Sequence, residues 1–236
     1  MKQVIQSIQT GKLSLKEVPE PGVKEGNILV RTKASLISAG TERMVVKFGG
    51  KSLAGKARER PDLVKKILKK SKRDGIAATV RSVLAKLDEP LPLGYSASGE
   101  VVAVGKGLEG AFHVGQRVAI AGAGLANHAE LNVIPANLAS HIPDDVTYDE
   151  ACFGTLSSIA LHAVRNLDQS LGDFIAVIGA GLLGQLIINL LSLSGARVLA
   201  LDYNISRLDL AQRMGAEATF DLSGKQEDLE DTISAL

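Results

Sequence analysis

The sequence predicts an α/β protein in two parts: a β-rich, barrel-like domain over residues 1–150 and a doubly wound parallel sheet over 151–236. Three observations predict it. Short stretches of alternating polarity, punctuated by Gly and Pro, fill the first forty residues and recur from Gly99 to Pro135. From Gly172 the order becomes strand, glycine turn, helix, strand, helix, strand, which is the pattern of a βαβαβ unit. The chain has 236 residues with 45% hydrophobic and 22% charged, enough for two ordinary cores and too well balanced for a disordered chain.

The first strands are expected at Gln3 to Ile8, Lys12 to Val18 and Asn27 to Ile37, parted by Gly11 and by Pro19-Glu20-Pro21-Gly22. The second block supplies Glu100 to Gly105, Arg117 to Ile120 and Ala129 to Ile134. Many short strands with glycine corners point to a small barrel or closed sheet. Between the blocks the pattern turns helical. Pro61-Asp62 starts one apolar stripe (Leu63, Val64, Ile67, Leu68), and Ile76, Val80, Val83, Leu84 and Leu87 form another beyond Asp74-Gly75. An αα-hairpin insert at about 47–90 is expected. Lys47 to Arg73 carries eleven basic residues against Glu59 and Asp62, in a chain whose net charge is +1. Such a segment is either a solvated face or a docking surface for an anionic partner.

Glu150 to Asn166 reads as one helix. Phe174 to Ala196 has no charged residue and is long enough to cross a bilayer, but its four glycines, Gln185 and Asn189 favour a buried parallel strand followed by a helix. The strand Phe174 to Ile178 runs into Gly179-Ala180-Gly181-Leu182-Leu183-Gly184, a GxGxxG turn. Gly179 permits the tight turn, Gly181 lets backbone N–H groups approach a pyrophosphate, and Gly184 lets helix and strand pack closely. The helix N-terminus offers unsatisfied donors to the anion. Asp202 ends the next strand, where a carboxylate accepts from ribose hydroxyls or, on the other reading, caps the next helix. On the first reading it repels a 2′-phosphate and favours NAD over NADP, with Arg207 partly offsetting the repulsion.

Composition narrows the function classes. Three Tyr, five Phe and no Trp leave little for stacking nucleic-acid bases. The single cysteine, Cys152, forms no intrachain disulfide and is too few for a cysteine-based zinc site. The N-terminal residues Met1 to Ser14 alternate in polarity and are no signal peptide, so a cytoplasmic protein is expected, with no membrane span and no nucleic-acid partner.

With these motifs in hand, the chain resembles the medium-chain dehydrogenase/reductase superfamily, the zinc alcohol dehydrogenase and quinone reductase group. The resemblance rests on Val18-Pro19-Glu20-Pro21 with Gly26 to Val30, on Gly99 to Gly105 with Val114 to Val118, on Ala160-Leu161-His162-Ala163 and on Gly215-Ala216-Glu217-Ala218, besides the glycine turn. It implies a chaperonin-10-like β-barrel domain that holds a small-molecule substrate and a Rossmann domain that holds NAD. Zinc members carry Cys, His and Cys ligands where this chain has Ser38-Ala39, Tyr95 and the neighbourhood of Cys152 to Thr155. No zinc is expected, because hydroxyls do not replace thiolate and imidazole. Acid–base work then falls to Tyr95, Ser96, Ser38 and Thr41, with Tyr95 either a proton donor or a filler of the vacated metal pocket. His128, His162 and Cys152 read as structural.

The sequence Ser-Ala-Gly-Thr-Glu ending at Glu42, Gly94-Tyr95-Ser96 and the basic insert resemble the N-terminal module of zinc-less bacterial bi-domain oxidoreductases, which implies sugar-like chemistry. About half of the family's six-stranded Rossmann sheet is present. The expectation is therefore the N-terminal part of a longer enzyme, or a truncated chain that associates as a homo-oligomer or with a C-terminal oxidoreductase module. An NAD(P)H quinone or enone reductase and a non-catalytic nucleotide-binding or docking module are the alternatives.

Overall fold

The structure, a computed structural model, describes residues 1–8, 10–51 and 90–224, with Gly55, Arg58, Pro61, Val64, Lys65, Gly75 and Leu229 besides. Beyond Lys51 the expected basic hairpin lies, save for those single positions, outside the described residues. The chain divides into two compact units, Met1–Gly154 and Thr155–Leu236.

The first unit contains β1 (Lys2–Ser7), β2 (Leu13–Glu17), β3 (Asn27–Ser35), α1 (Ala39–Gly49), β4 (Pro90–Pro92), β5 (Ser96–Val104), β6 (Arg117–Ala121), β7 (Leu131–Pro135), β8 (Ala139–His141) and the single turn α2 (Tyr148–Ala151). Its strands form an antiparallel five-stranded sheet in the order β7-β3-β5-β6-β8 and a three-stranded sheet in the order β2-β1-β4. The two are stitched together where the Val4 N–H donates to the His128 carbonyl at 2.9 Å and Gln3 bridges Ala129, giving an antiparallel half-barrel. Alternation decides which face is inside: Ile28 and Val30 of β3, Ala97 and Val101 of β5, Val118 and Ile120 of β6 and Ile134 of β7 are buried together.

Alternation fails within β3, for a local reason. A register shift between Thr32 and Ala34 leaves Lys33 as an extra residue against β5, so the inward face passes from Val30 and Thr32 to Ser35. The strand ends there rather than at Ile37, and α1 follows where the sequence analysis expected no helix. The Glu42 N–H donates to the Ser38 carbonyl at 2.9 Å, while Glu42 Oε1 accepts from the Ser38 N–H at 3.0 Å. This reciprocal pair closes the first turn of α1. Its far end is held by Gln6, whose buried amide donates to the carbonyls of Val46 (3.1 Å) and Gly11 (3.3 Å).

The single helix expected from Glu150 to Asn166 is two helices, α2 and α3 (Gly154–Arg165). Thr147 opens α2 with a capping box to Glu150. Side chains of β5 bind carbonyls in α2 and at the break. Ser98 Oγ donates to the Tyr148 carbonyl and Ser96 Oγ to the Cys152 carbonyl, each at 2.6 Å, and Phe153 N–H falls back on Glu150 at 3.1 Å.

The second unit continues with β9 (Phe174–Ile178), α4 (Leu182–Leu193), β10 (Arg197–Asp202), α5 (Ile205–Arg213) and β11 (Ala218–Asp221). The strands are parallel in the order β11-β10-β9, and Val177, Ala180, Ile188, Leu191, Val198, Ala200, Leu208 and Ala211 form the core under the helices. The uncharged run is thus a strand, a glycine turn and a twelve-residue helix. Among the described residues no helix is long and apolar enough to cross a membrane.

A Cβ on Gly99 of β5 would collide with the Arg31 carbonyl of β3, whereas one on Gly22 would meet nothing within 4 Å. Urea denaturation should show Gly99→Ala less stable by about 1–3 kcal/mol and Gly22→Ala within about 0.5 kcal/mol of the parent.

Candidate functional site

In the second unit the site is built where β9 turns into α4. Gly179 adopts φ 95°, a left-handed conformation that side chains resist, and its N–H donates to the Leu201 carbonyl at 2.7 Å. A Cβ on Gly184 would strike the Gly179 carbonyl, so the first turn of α4 can lie against the strand only with glycine there. Gly181 is different. It is the N-cap of α4 in an extended conformation that any residue adopts, and among the described residues no heavy atom lies within 4 Å of where its Cβ would be. The protein's own packing accounts for Gly179 and Gly184 and leaves Gly181 open to a ligand. No side chain caps α4, so the N–H groups of Leu182, Leu183 and Gly184 present the positive end of the helix at that opening.

Asp202, at the tip of β10, is 7% exposed. Its Oδ2 accepts from the Ala180 N–H at 2.8 Å and its Oδ1 from the Asn204 N–H at 2.9 Å, and Arg207 Nη1 stands 3.6 Å from Oδ2. Burial pushes the carboxyl up, but the N–H groups of Asn204 and Ala180 and the Arg207 guanidinium outweigh it and hold the group below the usual carboxylate range. A carboxylate offers about four acceptor positions, so capacity remains after these bonds. The cap of α5 is Asn204, which accepts from the Arg207 N–H at 3.2 Å, and not Asp202. Gln185 carries no signature in the sequence pattern, yet its buried amide donates to the carbonyls of Ala180 (2.9 Å) and Arg207 (2.8 Å) and so fastens α4 to α5.

In the first unit three segments converge: the end of β3 with the start of α1, the junction of β4 and β5, and the loop before β7. Leu36 N–H donates to the Ser96 carbonyl at 3.0 Å, and His128 N–H to the Leu93 carbonyl at 2.7 Å. Ser38 is buried, Thr41 is exposed on the first turn of α1, and Tyr95 is partly buried. The hydroxyl of Ser96 is fully buried on the Cys152 carbonyl. Cys152 is itself buried, and burial, then the Asp149 charge, push its thiol up, which makes it a poor nucleophile. His162 is exposed and bonded to Asn166 at 3.0 Å.

The same convergence brings together residues to which sequence reasoning gave no chemical role. His128 Nε2 lies 3.1 Å from Glu42 Oε2 and its Nδ1 lies 2.8 Å from Ser35 Oγ. Asn132 holds the loop that carries His128: its Nδ2 donates to the Asn127 carbonyl at 3.1 Å and to Thr32 Oγ1 at 3.0 Å, while its Oδ1 accepts from the Asn127 N–H at 3.1 Å. The one signal available in the sequence was the spacing of Ser38 and Glu42, one helical turn apart. Among the described residues no three His, Cys, Asp or Glu side chains are grouped to hold a metal ion.

No family model matches the chain. Curated relatives do: it is 30% identical over 152 residues to (R,R)-butanediol dehydrogenase of Bacillus subtilis, covering 54% of this chain and 43% of that protein. It is 32% identical over 174 residues to L-threonine 3-dehydrogenase of Shewanella woodyi, covering 62% of this chain and 50% of that protein. Among solved structures, galactitol-1-phosphate dehydrogenase from Escherichia coli superposes with a TM-score of 0.75 at 21% identity, over 100% of this chain and 66% of that one. Escherichia coli quinone oxidoreductase complexed with NADPH superposes with 0.75 at 17% identity, over 99% of this chain and 63% of that one. These matches are to dehydrogenases and to an oxidoreductase, and the solved structures share the fold of this chain. The chain spans about half the length of these curated relatives. The half-barrel followed by the start of a parallel Rossmann sheet is the architecture of medium-chain dehydrogenase structures.

Asp202 makes a pH-dependent contribution to stability. Asp202→Asn keeps an acceptor for one N–H and leaves the other facing an amide N–H₂, a loss of about 1–3 kcal/mol at pH 7. Because the folded-state pKa is depressed, the advantage of wild type is complete above the unfolded value near 4 and fades as pH falls through the lower folded value. Denaturation of both proteins between pH 7 and pH 2 should show the two curves approaching below about pH 4.

Proposed function

We propose that the chain is the N-terminal part of a zinc-independent, NAD-dependent dehydrogenase of a small polyol, sugar-like substrate or related alcohol. The observation that carries this reading is the open Gly181 position at the uncapped N-terminus of α4, beside the Asp202 carboxylate. The N–H groups of Leu182, Leu183 and Gly184 would hold the cofactor's pyrophosphate, and Asp202 with its remaining acceptor capacity would hold the adenosine ribose. Arg207, standing 3.6 Å from the carboxylate, would lower the repulsion of a 2′-phosphate without removing it. When bound, NAD supplies a hydride acceptor.

The superfamily's zinc members need thiolate and imidazole donors, and Ser38-Ala39, Tyr95 and Thr155 offer none. Tyr95, Ser38 and Thr41 are the hydroxyls proposed to contact the alcohol oxygen; Ser96 was of this group by sequence, and its bond to Cys152 leaves it the task of holding the segment that carries Tyr95. Chelator-washed complete protein should contain well under one zinc per chain by elemental analysis, and stoichiometric zinc would refute the zinc-independent reading.

Titration of the complete protein should show NADH binding about tenfold or more tighter than NADPH, a difference of roughly 1.4 kcal/mol or above, with Asp202→Ala narrowing the gap. Gly181→Ala should weaken NADH binding by a similar factor while leaving thermal stability unchanged, because the added methyl meets nothing in the protein. Turnover of butane-2,3-diol, L-threonine or galactitol 1-phosphate with NAD supports the dehydrogenase. Reduction of benzoquinone with no alcohol oxidation would instead favour the quinone-reductase reading that the second structural likeness suggests.

A further inference from the structure

We propose that Gln185 is a positioning residue that sets the preference for NAD over NADP, by holding Ala180 and Arg207 in place around Asp202. This inference rests on the NAD reading proposed above. Four residues close a ring within the second unit. Asp202 Oδ2 accepts from the Ala180 N–H at 2.8 Å and stands 3.6 Å from Arg207 Nη1. From the other side, Gln185 Nε2 donates to the Ala180 carbonyl at 2.9 Å and to the Arg207 carbonyl at 2.8 Å. The carboxylate and the amide thus hold the same two residues, one in the turn after β9 and one in the first turn of α5. Gln185 also closes the first turn of α4, its own N–H donating to the Gly181 carbonyl at 2.8 Å.

Packing alone does not account for a glutamine here. Gln185 is buried, on the same helix as the buried Ile188 and Leu191. Its Oε1 is buried too, and has no hydrogen-bond partner among the described residues. An unpaired buried acceptor is costly, and an apolar side chain of the same length would avoid that cost. What the amide supplies in exchange is two donors on one nitrogen, placed between the carbonyls of two different segments.

The consequence falls on Arg207. Its side chain is 56% exposed and lies 3.6 Å from the carboxylate, whereas a charge-assisted hydrogen bond is about 2.8 Å long. So loose a contact does not decide where the guanidinium sits; the main chain of α5 does, and Gln185 anchors that main chain. A 2′-phosphate has to draw the guanidinium away from Asp202 as its own counter-ion, which asks the first turn of α5 to move relative to the turn after β9. Ribose hydroxyls ask for no such movement, because they donate to the carboxylate as it stands. A tie between the two segments therefore favours NAD by preorganisation, without touching the cofactor.

Gln185→Met keeps the length of the side chain and removes both donors. In the complete protein this variant should bind NADH about three- to tenfold more weakly and NADPH within about twofold of wild type, the reach of one hydrogen bond net of solvation, so that the preference narrows. Carbon-13 spectra should show its Asp202 carboxyl titrating higher than in wild type, where, against burial, the N–H groups of Asn204 and Ala180 and the Arg207 guanidinium hold it low. A role confined to fastening α4 to α5 would lower thermal stability and move neither measurement; either one unchanged overturns the role of Gln185 alone. Should Gln185→Met not fold, Asp202→Asn decides. By loosening Ala180 and Arg207 it should shift the Gln185 side-chain amide signal in nitrogen-15 spectra, and an unmoved signal overturns the role. A wild type that binds neither nucleotide, or that prefers NADPH, overturns the NAD reading and this inference with it.

Discussion

One buried carboxylate in each unit gathers backbone N–H groups that would otherwise have no partner, and the local geometry depends on it. Asp202 draws in Ala180 from the turn after β9 and Asn204 from the turn after β10. Two turns that begin two different helices are thereby tied to one strand tip. A buried charge is costly unless hydrogen-bonded, and N–H donors to an ionised acceptor form the stronger class of hydrogen bond. The glycine turn is consequently held in shape by the protein itself, before any ligand is considered.

Glu42 does the same in the half-barrel. It closes the first turn of α1 on Ser38 and reaches across to His128, so a helix, a strand end and a loop share one anion. Around it, Asn132 and Ser96 satisfy backbone carbonyls with side-chain donors, where the chain leaves regular structure. These polar contacts lie beside strands that bury Ile28, Val30, Val101, Val118, Ile120 and Ile134 together as an apolar core, where a rigid sheet can present side chains without disturbing that core.

The division of labour that follows is chemical. The second unit supplies an uncapped helix N-terminus and a buried carboxylate beside it. The first brings hydroxyls, an imidazole and a carboxylate close together. The likeness to solved dehydrogenase and oxidoreductase folds extends over both units.

What the sequence determined by itself was whatever depends on neighbours along the chain. Alternation located six of the eight strands of the half-barrel and missed the short β4 and β8, the uncharged run separated into β9 and α4 at its glycines, and Gly179, Gly184 and Asp202 were legible because a turn, a close approach and a strand tip each restrict residue type locally. What the tertiary structure decided was whatever depends on contacts far apart in sequence. Ser96 and Ser98 tie β5 to the carbonyls of Cys152 and Tyr148 some fifty residues away, a bulge set by pairing with β5 turns Ser35 inward, and His128 meets Glu42 across 86 positions. No periodicity encodes such meetings, because side-chain hydrogen bonds between distant segments exist only once the sheets have brought the segments together.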